Sequence, residues 1–149
     1  MFKVLITILL SVFLLGCAAS GPKFVSLPIN NRESIIVFYR DKQFVNGGAY
    51  PHIYIDGIKK GSIKNGGYIA IPVEVGAHMI TLKNTWAWKG QQVWDIDVGY
   101  RKQYFYKISS ELNSVIPIGA VVFVNKSVQI ESVPASKALE EIKNCKLSK

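Results

Sequence analysis

The chain has 149 residues and a mass of 16.6 kDa; 49% of its residues are hydrophobic, 19% are charged, and the formal net charge is +8. This size and balance suit one globular domain and exclude both a disordered chain and two ordinary domains. The two cysteines, one beside an apolar leader, exclude a disulfide scaffold.

The leader comes first. Lys3 is followed by a 12-residue apolar run, Val4–Leu15, interrupted only by Thr7 and Ser11. That suits the apolar region of an export signal and falls short of the ~20 residues that span a bilayer. The run ends in Leu14-Leu15-Gly16-Cys17, which resembles the lipobox of bacterial lipoproteins. The resemblance implies cleavage after residue 16 and lipidation of Cys17, leaving 133 residues with 17 basic and 10 acidic side chains. Two or more acyl chains hold a protein stably at a membrane where one does not. Ala18, rather than Asp, after the cysteine implies the outer membrane, with the body facing the periplasm. Residues 17–33 contain Gly21-Pro22 and Pro28 and read as a lipidated N-terminus and flexible tether. The folded domain is then 34–149.

From Ser34 the pattern has period two. Ser34–Arg40 is β-branched and aromatic, and Ile53 and Ile55 alternate with His52 and Tyr54. Asp56-Gly57 is a type I′ hairpin dipeptide leading into Ile58–Ile63. Asn65-Gly66-Gly67 reads as a second turn before Tyr68–Val75, where Pro72 predicts an edge strand or bulge. Further strands are expected at His78–Lys83, Val93–Val98, Gln103–Ser109 and Ala120–Val133. Only Ala135–Cys145 has helical spacing, with Ala138, Leu139, Ile142 and Cys145 on one stripe. The fold class is therefore all-β, an antiparallel sandwich or, alternatively, a small barrel, with one C-terminal helix covering an open end or a face.

The segments Ile36–Arg40, Ile53–Gly57 with Gly61, Lys64–Tyr68, Val75–His78 and Tyr104–Tyr106 resemble a group of bacterial envelope lipoproteins sharing a domain of unknown function. Their order of strands and glycine turns is also similar to PEGA-type β-sandwich modules. The resemblance implies a β-sandwich on an envelope protein and assigns no catalytic residue.

Chemistry-bearing residues are sparse. The two histidines, His52 and His78, lack zinc-site spacing even with Asp56 nearby. Asp95 and Asp97 share one face of one strand, as polar alternation produces. No phosphate-binding glycine motif or nucleophile elbow occurs. No metal, cofactor or catalytic residue is expected, and the protein reads as a non-enzyme. Cys145, near a helix C-terminus, reads as a half-buried structural cysteine. The scattered basic residues Lys59, Lys60, Lys64, Lys83, Lys89, Arg101, Lys102 and Lys107 suit a solvated surface or anionic lipid and envelope polymers. Nucleic acid does not fit an exported protein.

The most distinctive segment is Asn84–Gly90, in which Trp86, Trp88 and Lys89 form a candidate binding loop. Exposed tryptophans there would stack on sugars or anchor a protein partner. Trp94 is expected in the core, with at least one of Trp86 and Trp88 exposed. The sequence thus points to a membrane-anchored lipoprotein acting as an interaction or structural module of the envelope. The alternative is a periplasm-facing binder of a small molecule or glycan through the aromatic loop, with a pocket formed among Trp86, Trp88 and Tyr68.

Overall fold

The structure, a computed structural model, describes residues 18–29, 33–43, 47–83, 91–118 and 121–148, with side chains described outside 110–127. Cys17, the leader, Trp86, Trp88 and Lys89 lie outside the described residues. Among the described residues nine strands follow in chain order: β1 Glu33–Tyr39, β2 His52–Ile55, β3 Ile58–Ser62, β4 Gly67–Glu74, β5 Gly76–Lys83, β6 Gln91–Val98, β7 Gln103–Ile118, β8 Val121–Val133 and β9 Lys146–Leu147. One helix among the described residues, α1, covers Ala135–Ile142 between β8 and β9. The strands form two sheets, a five-stranded sheet in the order β8-β7-β1-β4-β9 and a four-stranded sheet in the order β3-β2-β5-β6. The fold is a sandwich rather than a closed barrel.

The second sheet is antiparallel throughout. The first is mixed: β1 is antiparallel to β4 but parallel to β7, and β4 is parallel to β9. Period-two reading misses the parallel pairs, because they join strands far apart in sequence.

The Asp56-Gly57 turn forms as expected. Both residues have positive φ, 51° and 77°, as a type I′ turn requires, and Ile55 pairs with Ile58 across it. Asn65-Gly66-Gly67 is different: it carries the chain from β3 in one sheet to β4 in the other. Pro72 sits on β4 opposite Ile35, beyond the two residues of β4 that β9 covers, so it occupies a free edge and displaces no ladder bond.

The core is layered. Ile36, Phe38, Ile71, Val73 and Ile108 of the first sheet meet Ile53, Ile55, Ile80, Leu82, Ile96 and Val98 of the second. The other face of the first sheet presents Ile35, Val37, Tyr39, Tyr68 and Phe105 to Ala138 and Ile142 of α1, to Cys145 and to Phe24. Leu139, expected on the buried stripe, is 40% exposed. The first sheet is therefore the middle of three layers, which is why β1 reads as a continuous apolar run.

Two expectations need correction. Residues 18–24 are not a slack tether. Ala19 N–H donates to the Asn65 carbonyl (3.0 Å), Gly21 N–H to Leu147 (3.1 Å), and Leu147 N–H to Pro22 (2.8 Å). Ala19 is buried, and Phe24 packs edge-on against Tyr68 at 5.2 Å. Gly21 permits this approach, since a Cβ there would lie 2.6 Å from the Leu147 oxygen. The segment docks because β9 offers it free edge groups. The second correction concerns β7, which does not end at Ser109. It runs to Ile118 and pairs with β8 back to Val121, making one long ribbon.

Candidate functional site

The aromatic residues meet at the flank where β6 faces the β7–β8 ribbon. Gln92, Val93 and Trp94 of β6, Tyr106 of β7, and Ile130 and Ser132 of β8 line a cleft of about 570 Å³. Phe38 stacks on Tyr106 at 5.6 Å and contacts Trp94 edge-on at 6.4 Å; the Trp94 and Tyr106 rings lie 5.8 Å apart. Trp94 is half-buried against the core rather than within it, because its strand lies at the sheet edge. Its indole N–H is buried and, among the described residues, makes no hydrogen bond of good geometry, the Tyr106 hydroxyl being a polar neighbour that it influences. Burial raises the Tyr106 phenol above its ordinary pKa, an effect the nearby indole partly offsets. Gln92 Nε2 donates to the Val128 carbonyl and ties the two walls together. A half-open wall of rings with flanking amide and hydroxyl groups suits a flat, partly apolar ligand such as a sugar ring. Tyr68 is not part of this cleft: it lies on the helix-covered face of the first sheet.

On that face a polar network docks the helix. Glu141 of α1 accepts from the Tyr39 hydroxyl (2.8 Å) and from Lys107 Nζ (2.9 Å), and Lys107 also reaches Asp41 at 2.7 Å. The Lys107 ammonium is the first cause holding the Glu141 carboxyl below its usual range. Burial opposes the charge on Lys107, yet its two carboxylate partners leave it above its usual value. Lys107 is thus a structural cation rather than one of the scattered surface charges. Burial, followed by the Glu141 hydrogen bond, pushes the Tyr39 phenol up. Arg40, at the end of β1, is fully buried; its Nη1 donates to the Ala49 carbonyl, and burial lowers its pKa to about 10. A buried arginine ending an apolar strand is a feature the sequence reading passed over. Cys145 is 2% exposed, its Sγ lies 3.6 Å from the Arg40 carbonyl, and burial pushes its thiol up to about 11. This is the environment of an inert structural cysteine.

The histidines serve separate contacts. His78 Nδ1 meets Asp56 Oδ2 at 2.6 Å, and Asp56 Oδ1 accepts from the Met79 N–H, so the β2–β3 turn is clipped to β5. The Asp56 hydrogen bond raises the His78 pKa, and the same bond lowers that of Asp56. His52 Nδ1 pairs with Ser62 Oγ at 2.6 Å, and burial lowers its pKa. Among the described residues no three His, Cys, Asp or Glu side chains converge on a possible metal position. Asp95 and Asp97 both stand on the exposed face of β6, as strand alternation requires.

Comparison with curated proteins and with solved structures gives no match. A family model described as "Protein of unknown function (DUF2846)" matches residues 30–121, which takes in the chain from the start of β1 to the start of β8. With more than half of its length matched, the chain belongs to the DUF2846 family.

Proposed function

We propose that the protein is a lipid-anchored module of the bacterial cell envelope, a lipoprotein held at the outer membrane through Cys17. In this reading it faces the periplasm and works through contact with another envelope component rather than through catalysis. The observation that carries this reading is the docking of Ala18–Phe24. The residue after Cys17 is already bridged to Asn65, so lipid on that cysteine would hold the sandwich against the bilayer with no slack. The short apolar leader and its Gly16-Cys17 boundary supply the processing signal. Cells given labelled fatty acid should place label on the wild-type protein and none on Cys17→Ser, which should also leave the membrane fraction. Label on the Cys17→Ser protein would falsify the assignment.

A second reading has its own support in the Trp94–Tyr106 cleft, which suits a small ring-bearing ligand such as a glycan fragment. Trp86, Trp88 and Lys89 lie outside the described residues and are candidate contacts on sequence alone. Soluble glycans titrated against the protein should shift its tryptophan emission, and Trp94→Phe should abolish the shift.

A further inference from the structure

The β7–β8 ribbon leaves the sandwich in one direction and changes character along its length. It is braced by β1 as far as Lys107 and by the Gln92–Val128 contact at the Ser110–Val128 pair. Glu111–Ile118 then run on with β8 as their ladder partner, a reach of about 26 Å at ~3.3 Å per residue. The first part of this extension is polar in sequence, with Glu111, Asn113 and Ser114 on β7 and Asn125, Lys126 and Ser127 on β8. The last four pairs are Val115–Val124, Ile116–Phe123, Pro117–Val122 and Ile118–Val121. Not one of these positions carries a polar side chain, so alternation ceases and both faces of the tip are apolar in composition. A two-stranded ribbon has no second layer of its own to bury such a tip.

Topology fixes where the tip emerges. Strands β1 and β7 are parallel, so the ribbon continues past Tyr39 at the end of the sheet where Arg40 N–H bonds to the Gly67 carbonyl. At this same end Ala18 bridges Asn65 and Ala19 N–H bonds to the Asn65 carbonyl. β1 separates β7 from β4, and the docked segment lies one to two strands further, against Asn65 and β9, so ribbon and docked segment are roughly 15–19 Å apart laterally. Cys17 is one peptide unit further, ~3.8 Å between Cα atoms. Lys42 and Lys64 stand at the same end, and Lys126 is two residues from the apolar tip, where a lysine can reach lipid headgroups.

We infer that the ribbon tip, Val115–Ile118 and Val121–Val124, inserts into the lipid bilayer beside the anchor. The direction of the bilayer rests on the reading of Cys17 as the lipidated residue. Insertion is shallow, because an open ribbon carries unpaired edge groups that must keep contact with water or headgroups. Pro117 eases this requirement. In a hairpin with a two-residue loop the flanking pair, Ile118–Val121, is the hydrogen-bonded one, so the next pair, Pro117–Val122, directs its N–H groups outward. Proline deletes the outward donor on β7. The same deletion argues against a further strand adding to the β7 edge of the tip.

The test uses the full lipidated protein, carrying Val122→Cys labelled with an environment-sensitive fluorophore, in vesicles of phosphatidylethanolamine and phosphatidylglycerol. Cys145 is buried and does not compete for label, and label taken up by the protein without Val122→Cys reports any free thiol at Cys17 and is subtracted. The label at 122 should shift to the blue and be quenched several-fold more by lipids brominated on their acyl chains than a label introduced by Tyr100→Cys. Tyr100 is 70% exposed in the turn before β7, at the opposite end of the sheet. A water-like label at 122 in vesicle-bound protein overturns the inference, as does a label shielded without lipid quenching. Fatty-acid labelling of the same preparation scores the anchor separately. Quenching at 122 without lipid on Cys17 removes the anchor alone, and lipid on Cys17 without quenching removes the ribbon insertion alone.

Discussion

Strands β1 and β6 are of similar length and lie in different sheets, and their sequences obey opposite rules. Every residue of β1 from Ser34 onward is buried, whereas β6 is exposed at Gln91, Val93, Asp95 and Asp97 and buried at Ile96 and Val98. One strand runs through the middle of three layers and the other forms an outer wall. A strand's pattern therefore reports how many layers cover it, and the continuous run of β1 marks the sheet that α1 and the docked N-terminal segment close off.

This contrast is open to measurement. Phe38→Ala removes a fully buried ring stacked on Tyr106 and should cost about 3–5 kcal/mol in urea unfolding, whereas Val93→Ala, at a half-exposed site, should stay within about 0.5 kcal/mol. Equal costs would remove the distinction between the layers. On the helix side, Tyr39→Phe deletes a hydrogen bond to a carboxylate and should cost about 1.5–3 kcal/mol. Glu141 has a lowered pKa, so its contribution is complete above the ordinary glutamate value of about 4.3 and is lost as pH falls through the folded value. Comparing urea midpoints at neutral and acidic pH, the variant should show a shallower acid loss than the wild type; parallel profiles would separate Tyr39 from the Glu141 network.

Two smaller effects belong to the outer sheet. Gly57→Val forces a β-branched residue to φ 77° and should cost at least about 1 kcal/mol, all of it backbone strain, since no atom lies within 4 Å of the added Cβ. The His78–Asp56 pair should contribute less than about 1 kcal/mol, because Asp56 is largely exposed. The raised His78 pKa makes its share complete below about 6.5 and lost as pH rises through the folded value; the lowered Asp56 pKa makes its share present above about 3.9. The advantage of wild type over His78→Gln should therefore show in mildly acidic urea titrations and vanish in alkaline ones. An advantage that persists at high pH would assign the effect to packing.

Local chemistry was legible and distant pairing was not. The Asp56-Gly57 turn, the edge position of Pro72 and the helix at Ala135 all follow from residues within a few positions of one another. The docked segment was misread because Gly21 and Pro22 look like breakers, while the groups they bond belong to Leu147 at the far end of the chain. The expected strand stops at Ser109 because Ser109–Ser114 and Pro117 interrupt alternation, a pattern that does not reveal a strand held by its ladder partner. Of the candidate site, Trp94 is expected in the core and is instead found at its margin, beside a cleft that needs Tyr106, Ile130 and Ser132 from strands distant in sequence. Asp56 is near the histidines in sequence without pointing to a partner, because its 2.6 Å contact with His78 depends on the β2–β5 pairing.

The docking of the N-terminal segment also has a mechanical meaning. Lys23 pairs antiparallel with Lys146, and the bonds of Ala19, Gly21 and Pro22 run in series along that edge. A pull on the N-terminus is directed along this strand, so the bonds carry the load together in shear instead of opening one at a time. The far side of the clamp is β9, held to β4 through Gly67 and Tyr68 and by the Ser148 N–H donating to the Tyr68 carbonyl. Lys146–Ser148 therefore act as the catch that keeps Ala19–Lys23 in place. Removing Lys146–Ser148 would release Ala19–Pro22 from that edge.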